Sequence, residues 1–211
     1  HNLKPSSQTA AEQGTDTIEE GGECRHNREH VTKIKVCLIG GESVFKTTVA
    51  SRLAQHLNTT FVEEYAREYF QARDLDTKPF CNDDFIQVAR GQLELEKKYM
   101  DDPRTGSVLI CDTCPLMTLL WSDTLIGSHD ESLDTFISQS YYDLYILLDC
   151  HGVEWVDDKQ LRVIPEEKER SLFQTRLIEH LSRRSISYTH IHGDLNTRFT
   201  QSLEAIRRHM E

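Results

Sequence analysis

One stretch constrains this chain more than any other. A short apolar run ends in glycines and leads to a lysine and two threonines: Lys33-Ile34-Lys35-Val36-Cys37-Leu38-Ile39-Gly40-Gly41-Glu42-Ser43-Val44-Phe45-Lys46-Thr47-Thr48. A short apolar run bounded by glycine predicts a buried strand, and the TTVASRLAQHLN segment after it has apolar residues at helical spacing. A strand that feeds a helix through this turn fits the phosphate-loop template of glycine, four residues, glycine, lysine, then serine or threonine. Gly40, Lys46 and Thr47 meet the template, with Gly41, Ser43 and Thr48 in the same loop. Each residue has a task. Gly40 lets the chain turn off the strand, and the main-chain N–H groups at the helix N-terminus cradle phosphate oxygens. Lys46 is placed to reach the β- and γ-phosphates of ATP, and the Thr47 hydroxyl to bind Mg²⁺. Phe45 departs from the template, because it stands where glycine is expected and its side chain disfavours positive φ. An ordinary glycine-rich strand-to-helix turn is the plainer alternative.

The rest of the chain alternates in the same way. Strands are expected at TTFVEE (59–64), SVLICDT (107–113), YYDLYILLD (141–149) and ISYTHIHG (186–193). Helices are expected over 65–74, 83–100, 114–127, 165–184 and 195–210. The fourth of these starts with Pro165 and acidic residues and ends in arginines, which suits both ends of a helix dipole. Strands that are continuous apolar runs, alternating with helices, predict a parallel sheet covered on both faces. The expected fold is therefore α/β, a P-loop NTPase three-layer sandwich on a parallel five-stranded sheet. Residues 1–31 are polar and almost without large apolar groups, which predicts a disordered tail ahead of a domain over 32–211.

Composition narrows the function. The net charge is −11, from 24 Lys and Arg against 35 Asp and Glu, so no broad nucleic-acid surface is expected. No apolar run approaches the roughly 20 residues of a membrane span. The cysteines at 24, 37, 81, 111, 114 and 150 are too sparse for a disulfide scaffold and read as reduced thiols. Cys111 and Cys114 have CxxC spacing but lack a second ligand pair, so they read as small residues at a buried strand end. No apolar leader is visible, the expected setting is the cytoplasm, and the start at His1 rather than methionine leads to the expectation of a fragment or processed form. The sequence carries no sign of oligomeric state.

Candidate chemistry falls at strand ends, where ligands bind in parallel sheets. Asp112 closes the 107–113 strand beside the phosphate loop, placed to organise Mg²⁺ or accept a hydroxyl proton. A helix N-cap is its alternative role. At Glu63-Glu64-Tyr65-Ala66-Arg67 alternation turns one glutamate to the cleft, and Arg67 lies where a phosphate or carboxylate binds. A solvated first helical turn is the alternative there. After the fourth strand, Trp155 offers a flat face for a planar ring, Asp158 lies among acids able to fix hydroxyls, and Arg162 is placed to reach a transferring phosphoryl group. A core tryptophan flanked by surface acids is the alternative.

Taken together, GGESVFKTT, EEYAREY, DDFIQVARGQ, ICDTCPLMT, YDLYILLD and EWVDD…LR resemble the ribosylnicotinamide kinase domain of NadR-type proteins, over about residues 33–210. The resemblance implies transfer of the ATP γ-phosphate to the 5′-hydroxyl of nicotinamide riboside, a small-molecule nucleoside partner, with Mg²⁺. It implies that Gly40, Gly41, Ser43, Lys46 and Thr47 hold the nucleotide and that Asp112 is the strand-end acid. It also implies that Trp155 stacks on the nicotinamide ring, that Asp158 is a substrate-side acid and that Arg162 is the lid arginine. Three features depart from the family. Phe45 replaces a loop glycine, Lys159-Gln160 stand between Asp158 and Leu161-Arg162 where the family has one glycine, and Leu195 and Asn196 stand where some relatives carry an aromatic. The rival readings are a degenerate nucleotide-binding sensor disabled by Phe45, a kinase for another nucleoside, and a nucleotide hydrolase. Such relatives carry an adenylyltransferase domain upstream, so the chain is expected to be at most the kinase part.

Overall fold

A computed structural model describes residues 32–75, 78–157 and 162–211. The strands are β1 (Ile34–Ile39), β2 (Phe61–Val62), β3 (Val108–Asp112), β4 (Leu144–Leu148) and β5 (Thr189–Ile191). They form one sheet in the order β2-β3-β1-β4-β5, and every pairing is parallel. The helices are α1 (Lys46–His56), α2 (Tyr65–Gln71), α3 (Asn82–Asp101), α4 (Pro115–Ile126), α5 (Ser132–Gln139), α6 (Glu167–Arg183) and α7 (Leu195–Met210).

Alternation along the strands builds two cores. Val36, Leu38, Val108, Ile110, Ile146 and Leu148 face α1 and α7, where Val49, Leu53, Leu203 and Ile206 are buried. Cys37, Ile39, Leu109, Cys111 and Leu147 face the other way, onto Phe85, Leu116, Leu120, Phe173 and Leu177. Both faces of each central strand are thus buried, which is why these strands read as continuous apolar runs. The three-layer α/β sandwich follows. A buried charge pair adds to it: Lys35 Nζ lies 2.6 Å from Glu96 Oε2, and the Tyr142 hydroxyl donates to Glu96 Oε1 at 2.6 Å. Removing one partner of such a pair leaves an uncompensated buried charge.

Two local differences from the sequence reading have physical causes. Helix α5 was not expected, because Leu133, Phe136 and Ile137 are its only large apolar residues; their i, i+3, i+4 spacing gives a narrow stripe that packs on α3 and α4. Strand β2 keeps only Phe61–Val62 of the expected 59–64. The Thr59 hydroxyl instead donates to Val108 O at 2.7 Å, and Thr60 pairs with Thr105 at 2.8 Å. The described cysteines are free thiols. Burial pushes the Cys37 and Cys111 thiols well up, so both are inert packing groups. Among the described residues, no helix is long and apolar enough to cross a membrane.

Candidate active site

The loop after β1 is shaped by what stands next to it. Gly40 has φ 142°, and a Cβ there would meet Leu148 O at 2.5 Å. Only glycine lets the end of β4 approach this closely. Phe45 caps α1 in the left-handed region, with φ 66° and ψ 19°, and its carbonyl accepts from Val49 N at 2.8 Å. The steric bias of phenylalanine is therefore overruled: the loop imposes a glycine-like conformation at a cost of about 1–2 kcal/mol. The ring is 37% exposed and lies 6.0 Å from the Arg198 guanidinium.

The first turn of α1 holds Lys46, Thr47 and Thr48 and no acidic residue, so the partial positive charge at its N-terminus is uncompensated. Lys46 Nζ donates to Gly41 O at 2.8 Å. The Thr47 hydroxyl donates to Asp112 Oδ2 at 2.5 Å, which joins the phosphate loop to the end of β3. Asp112 is fully buried, and its Oδ1 has no hydrogen-bond partner. Burial, reinforced by the charge of Glu64, raises its carboxyl to about 6, against the pull of Lys46 and the Thr47 hydrogen bond. Helix α4 is capped by Cys114, not Asp112, so the carboxylate is not spent on the helix end. A cation fits here. One buried carboxylate oxygen has no donor, a hydroxyl stands next to it, and oxygen ligands of this kind suit Mg²⁺.

A cavity of about 410 Å³ opens from the loop. Polar lining comes from the 41–48 loop, Glu64, Arg67, Glu154 and Arg162, and apolar lining from Phe70, Phe80, Phe85, Val88, Trp121 and Leu125. The aromatic wall is locked by edge contacts, with Phe70 5.1 Å from Phe80 and 6.2 Å from Phe85 between ring centroids. Trp121 is held against Phe173 at 4.4 Å. Such a cavity suits a molecule with a flat apolar ring and an oxygen-rich or anionic end.

The residues expected from sequence divide accordingly. Gly41, Ser43, Lys46, Thr47, Thr48, Glu64, Arg67 and Arg162 line the cavity, and Asp112 lies directly behind Thr47. Glu64 pairs with Arg67 Nε at 3.3 Å. Tyr65 turns away: its N–H donates to Gln92 Oε1 at 2.9 Å, and its ring covers Gly91, where a Cβ would come within 2.0 Å. Trp155 does not line the cavity either. Its indole N–H donates to Glu42 Oε2 at 2.9 Å. Asp158 lies outside the described residues.

Glu42 was not foreseen. It is nearly buried in the phosphate loop and also accepts from Val163 N at 2.6 Å and Ile164 N at 3.0 Å. Ser43 Oγ accepts from Val156 N at 3.1 Å, and Arg162 Nη1 donates to Val156 O. The aromatic wall was missed as well, because FIQVARG and PLMTLLW carry only the pattern of helices facing a core.

A parallel sheet in this order, with a Lys-Thr loop after β1 and a buried acid at the end of β3, defines a P-loop nucleotide-binding domain with a nucleoside-kinase-like fold. The chain belongs to the family described as AAA domain, whose profile matches residues 35–198. It is 29% identical over 180 residues to the trifunctional NAD biosynthesis/regulator protein NadR of Salmonella typhimurium, covering 83% of this chain and 42% of that protein. The chain thus spans less than half the length of that relative. Among solved structures, NadR in complex with NR superposes with a TM-score of 0.71 at 24% identity, over 85% of this chain and 52% of that one. Thymidylate kinase from Candida albicans superposes with a TM-score of 0.63 at 14% identity, over 85% of this chain and 94% of that one.

Proposed function

We propose that the chain is an ATP-dependent kinase that phosphorylates the 5′-hydroxyl of nicotinamide riboside to the mononucleotide. The observation that carries this reading is the join between Thr47 and Asp112 at the mouth of an aromatic-walled cavity. The relatives support it, since one is an NAD biosynthesis protein and one was solved with NR.

The residues divide the work between positioning and charge. The main-chain amides of the 41–48 loop and the N-terminus of α1 hold the phosphate chain. Lys46 neutralises charge on the phosphoryl oxygens, and Arg162, which lines the same cavity, does the same. Thr47 Oγ1 and Asp112 would hold Mg²⁺, which when bound supplies Lewis-acid stabilisation of the same oxygens. The substrate oxygen bonds to the γ-phosphorus, the bond from that phosphorus to the bridging oxygen of ADP breaks, and the hydroxyl proton passes to a carboxylate. Asp112 is that acceptor where it is not engaged with the metal. The aromatic wall holds the flat ring so that the ribose points toward the loop.

ADP release with nicotinamide riboside, against a panel of ordinary nucleosides, tests the reading. Turnover at least tenfold faster on nicotinamide riboside is expected; equal or faster turnover on another nucleoside moves the assignment to that substrate. Phe45 favours one second reading, a sensor that binds without turnover, because its ring lines the same cavity. Titration with Mg-ATP before and after Phe45→Gly separates the two. Binding and turnover in the unmodified chain support the kinase, binding without turnover supports the sensor, and gain of both only after the substitution marks a site disabled by Phe45.

A further inference from the structure

The other side of the sheet's C-terminal edge carries a second cluster that the kinase reading does not use. Asp149 follows β4 and is 2% exposed. His190 in β5 and His192 just after it are two residues apart, so their side chains leave the same face. The two imidazoles lie 4.4 Å apart between centroids, and both turn a nitrogen to one carboxylate oxygen. His190 Nε2 is 2.6 Å and His192 Nδ1 3.4 Å from Asp149 Oδ2.

We propose that Asp149, His190 and His192 bind a late first-row divalent cation of the Zn²⁺ class. The three ligand atoms lie within 4.8 Å of one another. Bonds of about 2.0–2.2 Å in a tetrahedral site put ligand atoms roughly 3.3–3.5 Å apart. The His192–Asp149 spacing of 3.4 Å already matches that value and the His190–Asp149 spacing of 2.6 Å is shorter, so small side-chain rotations complete the site. Two imidazoles and one carboxylate select Zn²⁺, Ni²⁺ or Cu²⁺ over Mg²⁺, which takes oxygen ligands. The carboxylate is already oriented from behind. Gln174 Nε2 donates to Asp149 Oδ2 at 2.9 Å while its Oε1 accepts from Cys150 N at 2.7 Å. His151 N donates to Asp149 Oδ1 at 2.6 Å, and Arg198 Nη1 to Asp149 O at 2.8 Å. Buried support of this kind fixes a ligand and strengthens a metal site. Entry is open, because the side chains of His190 and His192 are 32% and 66% exposed. A separate grouping, Asp149 with Cys150 and His151, meets the same carboxylate at its other oxygen, where His151 Nδ1 lies 2.7 Å from Asp149 Oδ1. The site is independent of the kinase reading and distinct from the Thr47–Asp112 pair.

The test uses the full chain and Zn²⁺ in competition with a chromophoric chelator, followed by the visible absorption of the Co²⁺ form. The expected result is a site whose affinity falls at least tenfold, with loss of the tetrahedral Co²⁺ bands, in the His190→Ala/His192→Ala protein. Asp112→Asn leaves Zn²⁺ affinity unchanged. His1, Cys24, His26 and His30 are present in parent and variants alike, so the difference reports the cluster alone. His192→Gln, at a mostly exposed position, keeps the fold if the double variant does not, and is expected to weaken Zn²⁺ several-fold. A parent that binds Zn²⁺ no more tightly than these variants overturns the proposal.

Discussion

Asp112 and Asp149 make an instructive pair. Both end strands of the same sheet, both are buried, and they sit on opposite sides of β1. Asp112 has one hydroxyl donor and one oxygen with none, and burial raises its carboxyl to about 6. Burial also acts upward on Asp149, but hydrogen bonds from the His151 amide, Gln174 and the imidazoles of His151 and His190 outweigh it and hold that carboxyl well below the usual range. The difference shows that burial alone does not set a carboxylate's state. The number of N–H groups aimed at it does. Asp112 is an acid whose compensation has to come from a ligand. Asp149 is already compensated, so a cation there competes with imidazole protons.

The largest way to probe this contrast is catalytic. Asp112→Asn is expected to lower phosphoryl transfer at least 100-fold, read as ADP release at saturating substrates, whereas Asp149→Asn lowers it far less in whatever fraction remains folded. The next effect is on stability. Asp149→Asn removes a charged acceptor from several donors and should destabilise the chain by about 3 kcal/mol, read as a lower urea midpoint at constant slope. Asp112→Asn should act in the opposite sense in metal-free protein. A folded pKa raised from ~3.9 to about 6 means a contribution fully present at low pH and lost as pH rises through 6. The variant should therefore gain about 3 kcal/mol over the parent above pH 6.5 and nothing below pH 4, in urea titrations across that range. An equal difference at all pH values would remove the assigned cause. The smallest effect concerns Phe45→Gly, which relieves left-handed strain but adds freedom to the unfolded chain. A net gain under ~1 kcal/mol is expected in thermal unfolding.

What the sequence made legible is what neighbours along the chain encode. The Gly40–Thr48 loop and Asp112 were readable because strand, turn and helix each leave a local pattern, and Asp112 is the last residue of an apolar run. Burial on two faces is equally local, which is why the sheet was legible. Helix α5 escaped because its apolar stripe is short. Trp155 was named from its loop position alone, and a loop tryptophan carries no record of its hydrogen-bond partner. Glu42, which takes its indole N–H, lies 113 residues away. The Asp149 cluster draws on Gln174 and His190, 25 and 41 residues distant, so only the folded sheet assembles it.

Glu42 has one more consequence. Its carboxylate accepts from the Trp155 indole N–H and from the main-chain N–H groups of Val163 and Ile164. One side chain of the phosphate loop therefore fastens both segments, and whatever moves that loop moves Arg162, next to Val163, with it.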